Sequence, residues 1–155
     1  MTDWLDIALV FDPETRRTDL VFGEDGDLVL DETPATPMLI AFGSDRRARP
    51  DDELPTGVSE INAPSSFVER RGWAGDALDA NGELIGSRLW LLDRAKQTEI
   101  TRLLAEEWMK QAFGWVRDET GSDAAIDVVW VRKEVLRITV GVDGRSFTLN
   151  KRVAA

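Results

Sequence analysis

Between Thr98 and Gly121 the chain reads TEITRLLAEEWMKQAFGWVRDETG, and its apolar positions do not fit one narrow stripe. At about 100° per residue, Ile100, Leu103, Leu104, Ala105, Trp108, Met109, Ala112, Phe113, Trp115 and Val116 cover more than half of a helical circumference. A helix resting on one sheet and otherwise facing water needs much less. The pattern therefore predicts one long helix, capped at Thr98 and stopped at Gly121, that is covered on two sides. One cover is a sheet. The other is a short helix through Leu89–Leu92 or a second subunit, and the intramolecular cover is preferred because a small domain can wrap one central helix. Glu106 and Lys110 add a supporting pair on its exposed side.

The segments around this helix read mainly as strands. IDVVWVRK (126–133) is apolar on both faces and is expected to be a central strand. EVLRITVGVD (134–143) alternates, with Leu136, Ile138, Val140 and Val142 inward. Asp143-Gly144 then turns the chain into RSFTLN, where Phe147 and Leu149 share a face. This C-terminal β-hairpin leaves an edge that must be capped or used for pairing. Near the start, DIALVF (6–11) alternates with Ile7, Leu9 and Phe11 on one face, and DLVF (19–22) and DLVL (27–30) suggest a hairpin through Asp25-Gly26. EDGDLVLDE lacks the alternating ligands and fixed glycine of a calcium loop.

Three more segments complete the outline. Residues 37–47 are expected to form a short helix burying Met38, Leu39 and Phe42, with Thr36 as cap, Pro37 in the first turn and Pro50 as stop. Residues 50–66 are polar and rich in Pro and Ser, the longest connection and the expected mobile segment. IGSRLWLLDRAK gives a second short helix, capped by Ser87. The fold class is thus α+β: a small, mostly antiparallel sheet on a long central helix with two short helices, in a single domain spanning 1–155.

Composition excludes much chemistry. The chain has no Cys and no His, which removes thiolate sites and imidazole acid–base catalysis, and it has no Tyr. A net charge of −10 with no basic stripe argues against nucleic acid. No apolar run approaches the length of a membrane span, and MTDWLDIALVF lacks a basic n-region and cleavage site, so it reads as the first structural element. Glu69, Asp76 and Glu83 flank a tryptophan loop and are the nearest thing to a glycosidase pair, yet none lies in an apolar run that would raise its pKa. No cofactor, metal or catalytic set is expected.

That loop is RRGWAGDAL (70–78), with Trp73 between glycines. Trp73 is either a core anchor or an interface peg, and the anchor is preferred because a lone exposed indole is costly before assembly. Arg46, Arg47, Arg49, Arg70, Arg71 and Arg88 cluster around it in sequence. Two readings stay open. The first three complement a helix C-terminus, or the arginines fork onto carboxylates and carbonyls and hold the loop.

In order, DIALV, DRRA, RRGWxGD, IGSRLWLLDRAK, a long helix and a β-rich tail resemble the Mu-type phage tail baseplate protein family across nearly the whole chain. Its members carry a similar RGWWGD loop followed by GSRLWLL. The family in turn looks related to the small baseplate wedge protein of T-even phages. The resemblance implies a structural part, assembled in the bacterial host cytoplasm into the virion tail baseplate. Its implied partners are a larger baseplate wedge protein, the tail sheath protein and other baseplate subunits, with neither nucleic acid nor membrane. The expected partner-binding residues are Arg70, Arg71, Trp73, Arg88, Trp130, Arg132, Ile138, Val140, Phe147 and Leu149. The alternative is a carbohydrate-cleaving, lysozyme-like enzyme using Glu69 or Asp76. Two departures stand out: Ala74 replaces the family's second loop tryptophan, and RDETGSDAAI lacks the Glu-Pro-Arg triad of the T-even relatives, so contacts made through that triad do not carry over.

Overall fold

A computed structural model describes residues 3–55 and 68–153; most of the expected 50–66 connection lies outside them. The chain is a mixed helical and antiparallel-sheet fold. Its core gathers around Met38, Leu92, Met109, Leu136, Ile138 and Val140.

The C-terminal third forms one three-stranded sheet in the order β5 (Ala125–Arg132), β6 (Val135–Val142), β7 (Arg145–Arg152). The alternation in β6 is realised, with Leu136, Ile138, Val140 and Val142 buried. Its neighbours across the ladder are Trp130, Val128 and Ile126 on one side and Leu149 and Phe147 on the other. These share the inward face. The centre of the sheet is β6, however, and β5 is an edge strand. Its second apolar face, Val129 and Val131, stays exposed. The apolarity that suggested a central strand is therefore not explained by cover from the described residues.

The expected single helix divides in two. Thr98 caps α2 (Glu99–Ala112) by accepting from the Thr101 amide, as expected. The helix then breaks at Phe113–Gly114, and α3 (Trp115–Thr120) ends on Gly121 in the left-handed conformation. Phe113 explains the break. It stays buried at the junction, edge-on to Phe42 at 5.3 Å, while Trp115 meets Trp4 edge-to-face at 5.8 Å. α2 buries Thr101, Ala105, Trp108, Met109 and Ala112 against β5 and a 3-10 helix (Leu89–Arg94). Both expected covers of α2 are therefore present, the sheet and the short helix. Among the described residues a further flank is uncovered: Ile100 is 70% exposed, and Leu103 and Leu104 are also exposed.

The first short helix is α1 (Ala35–Gly43), earlier and shorter than expected. Met38 is buried, while Leu39 and Phe42 are half-buried. Thr36 lies inside the first turn and does not cap it. Its hydroxyl instead donates to the Ile7 carbonyl and accepts from the Leu9 amide, pinning the N-terminal strand. Pro50 is not the stop, because the chain leaves the helix at Ser44 in extended conformation. Nor does Ser87 cap the Leu89–Arg94 helix, which starts from Arg88 with no side-chain cap.

The N-terminal segment is a set of short pairs. The expected strand 6–11 splits into β1 (Asp6–Ile7), which pairs with β4 (Leu30–Asp31), and β2 (Leu9–Asp12), which pairs with β3 (Arg17–Leu20). Ala8 is the buried residue there, whereas Ile7 and Phe11 are exposed and Leu9 half-buried. The turn at Asp25-Gly26 forms, with Gly26 at φ +80° and the Val29 amide donating to the Val21 carbonyl.

Candidate interaction surface

The chain after α1 runs extended from Asp45 to Arg49, and two later segments lie against it. Ser87 pairs with it through the Arg46 amide, 2.9 Å, and the Ala48 amide donates to the Arg70 carbonyl at 2.9 Å. Such close backbone approach explains the loop glycines. Gly72 has φ +98°, and a Cβ there would sit 2.6 Å from the Arg47 Cβ. Only glycine fits both constraints. A Cβ on Gly75 would fall 2.3 Å from the six-membered ring of Trp73, so that glycine is the floor on which the indole rests.

Trp73 itself is 58% exposed. The expected core anchor is not formed: the indole lies at the surface, over its own loop at Gly75. With Pro37, Ile40, Leu84 and Trp115 it lines an open groove of about 320 Å³.

The arginines hold the loop. α1 ends before Arg46, Arg47 and Arg49, so helix complementation does not account for them. Arg71 donates to Asp45 at 2.6 Å, lies 4.0 Å from Asp93 and stacks 4.5 Å above the Trp90 ring. Trp90 in turn donates from its indole nitrogen to the Arg46 carbonyl, 2.8 Å. Arg70 donates to the Arg49 and Pro50 carbonyls, and Arg47 to that of Arg71. Arg46 donates to the Leu84 carbonyl; burial, and then the charge of Arg88, lower its guanidinium from its ordinary value.

Arg88 is 4% exposed and is spent inside the fold. One nitrogen reaches both oxygens of Asp52 at 2.8 Å, another reaches Gln111 at 2.6 Å, and the group lies 5.3 Å from the Trp108 ring. Ile138 and Val140 are likewise fully buried on the central strand. The side chains of these three expected contact residues meet no surface in this conformation. Trp130, Phe147 and Leu149 are half-buried on the inward face of the two edge strands, and Arg132 is exposed at the end of β5. Arg102 of α2 donates to the Val128 carbonyl, 3.2 Å, taking up one acceptor of β5. Among the described residues no element outside its own sheet donates to the backbone of β7, leaving it the more open edge.

Of the carboxylates near the loop, Asp76 accepts from the Ile85 amide at 3.1 Å through one oxygen. Its other oxygen and the Arg46 Nε are both buried without a hydrogen-bond partner. Asp76 and Glu83 border the groove, and Glu69 is exposed outside it. Among the described residues no group of three or more His, Cys, Asp or Glu is placed to hold a metal ion, and no helix is long and apolar enough to cross a membrane.

Sequence reasoning missed the partners of the arginines. Asp45, Asp52 and Asp93 carry no pattern that marks them, because each meets its arginine only through tertiary contact.

Residues 34–148 match the family model described as phage protein GP46. Baseplate protein gp46 of Escherichia phage Mu is 37% identical over 124 residues, which covers 79% of this chain and 74% of that protein. No solved structure matches the chain.

Proposed function

Because the chain belongs to the GP46 phage protein family, we propose that it is a structural subunit of a contractile tail baseplate, of phage or prophage origin. The observation that carries this reading is the similarity to the Mu baseplate protein over most of both chains. In this reading the tryptophan loop, through Trp73 with Arg70 and Arg71 behind it, meets a larger wedge subunit. The C-terminal sheet offers its open edge to a strand of the tail sheath or another neighbour, by strand addition. Trp130, Arg132, Phe147 and Leu149 border the two edges and supply the side-chain contacts. What supports strand addition is the geometry: three strands, two edges, and a β7 backbone free of donors from outside its own sheet among the described residues.

Two measurements test it. Mass spectrometry of purified tails should find the chain in the baseplate, and its absence there overturns the reading. Amides of residues 145–152 should exchange more slowly in the assembled tail than in the isolated chain; unchanged exchange with incorporation intact removes the strand-addition part. The carbohydrate-cleaving alternative is tested by incubating purified protein with cell-wall glycan. We expect no cleavage, and cleavage lost in Asp76→Asn or Glu69→Gln would favour that alternative.

A further inference from the structure

The charge of this chain is concentrated at one end. Residues 1–33 hold ten Asp and Glu against two Arg, −8 of the total −10, which leaves the remaining 122 residues at −2. The same segment displays its apolar side chains. Leu5 and Phe22 are about two-thirds exposed, and Val10, Phe11, Leu20 and Leu30 are exposed as well. Every residue from Val10 to Leu20 is exposed, although a two-stranded hairpin is marginal without cover. Register puts Phe11, Thr18 and Leu20 on one face of that hairpin, next to half-buried Leu9. It also sets Asp6 directly opposite Asp31, a like-charge pair that disfavours the β1–β4 ladder unless a cation lies near.

Among the described residues the arm is fastened to the body near its root, where Trp4 also packs on Trp115 and β2 lies beside α1. Thr36 holds it at Ile7 and Leu9, and Trp4 donates to Asp143 at 3.0 Å. The arm also precedes the span that the family model covers.

We infer that residues 3–31 form a docking arm that seats its apolar face, with its acidic rim, on a cationic protein surface floored by apolar side chains. The inference rests on the baseplate reading, since the partner is a neighbouring baseplate protein. Charge selects the occupant. A second copy presenting its own arm, residues 3–31, brings −7 against −7, and the rest of a second copy is itself net negative, at −3. A basic neighbour relieves both the Asp6–Asp31 opposition and the exposure of Phe11, Phe22 and Leu30.

The test uses baseplates assembled from co-expressed tail proteins that include the full chain. Amide exchange is read over residues 3–31 and, as an internal control for folding, over residues 135–142. Arm amides should slow on incorporation. A Glu14→Lys/Asp19→Lys/Glu24→Lys variant should lose about tenfold in competition with the unaltered chain at low salt, with the gap closing as salt rises. A Leu5→Ser/Phe22→Ser variant should lose a comparable factor at every salt concentration. Both replace exposed side chains, and unchanged exchange over 135–142 verifies that they fold. Incorporation with arm amides still exchanging freely, or with both variants competing equally, overturns the arm and leaves the baseplate reading standing. Absence of the chain from baseplates overturns both. Concentration-dependent arm protection in the isolated chain identifies a second copy as the occupant and overturns the basic partner.

Discussion

Replacing Trp73 by alanine separates the two roles open to a bulky loop residue. As an exposed indole resting on Gly75, it contributes little to stability, so Trp73→Ala should cost less than about 1 kcal/mol in thermal or denaturant melts. Gly75→Ala keeps the ring but displaces it, and both variants should weaken binding to the wedge-type neighbour while leaving the fold intact. Gly72→Ala is the opposite case. Its φ of +98° and the Arg47 contact make the substitution a folding defect of about 1–3 kcal/mol. Arg88 carries the largest expected cost. Arg88→Met strands Asp52 and should destabilise by about 3–5 kcal/mol, with part of the loss recovered when Asp52→Asn is added. At this scale the sequence announced that the glycines and arginines matter without announcing why. A glycine beside tryptophan reads the same whether it makes room for a core anchor or a floor for a peg. Arg88 resembles Arg71 in the sequence, yet one is buried and the other exposed.

Among the elements, α2 carries a charge ladder, Glu99–Arg102–Glu106–Lys110, at helical spacing. Lys110 and then Arg102 hold the Glu106 carboxyl below its ordinary value, and Arg102 does the same for Glu99. Carboxyls depressed in the folded state contribute stability above the unfolded value near 4.5 and lose it as pH falls through the lower folded values. Melts should therefore show stability declining below about pH 4.5, with a shallower decline in Glu106→Gln. The groups are solvent-facing, so the effect should be small and weaken further in salt. The elements themselves were largely legible. Thr98 and Gly121 bound the helical region, and the alternation of β6 was read correctly down to its inward residues. Two features were not. The break at Gly114 depends on where Phe113 must be buried, which local periodicity does not encode. And an apolar residue looks the same whether its own chain or another covers it, so Val129, Val131, Ile100 and Leu103 were assigned cover that the described residues do not supply.

The whole molecule is an almost neutral body with a strongly acidic arm, and this asymmetry sets how it should approach a partner. Entry into the assembly should be fast at low salt and slow markedly as ionic strength rises past about 0.1 M, where screening reaches about 10 Å. Stopped-flow or competition kinetics over a salt series check this; a flat dependence would mean that the arm does not steer. The asymmetry was available from the residues alone, but a net charge averaged over the chain conceals it. That average argued against nucleic acid and said nothing about where on the surface the acid lies.

Asp93 has one further consequence. One of its oxygens takes Lys151 from the edge strand β7 and the other faces Arg71 in the tryptophan loop. The edge strand and the tryptophan loop are thus joined through a single carboxylate shared by two cations, and Asp93→Asn should release both at once.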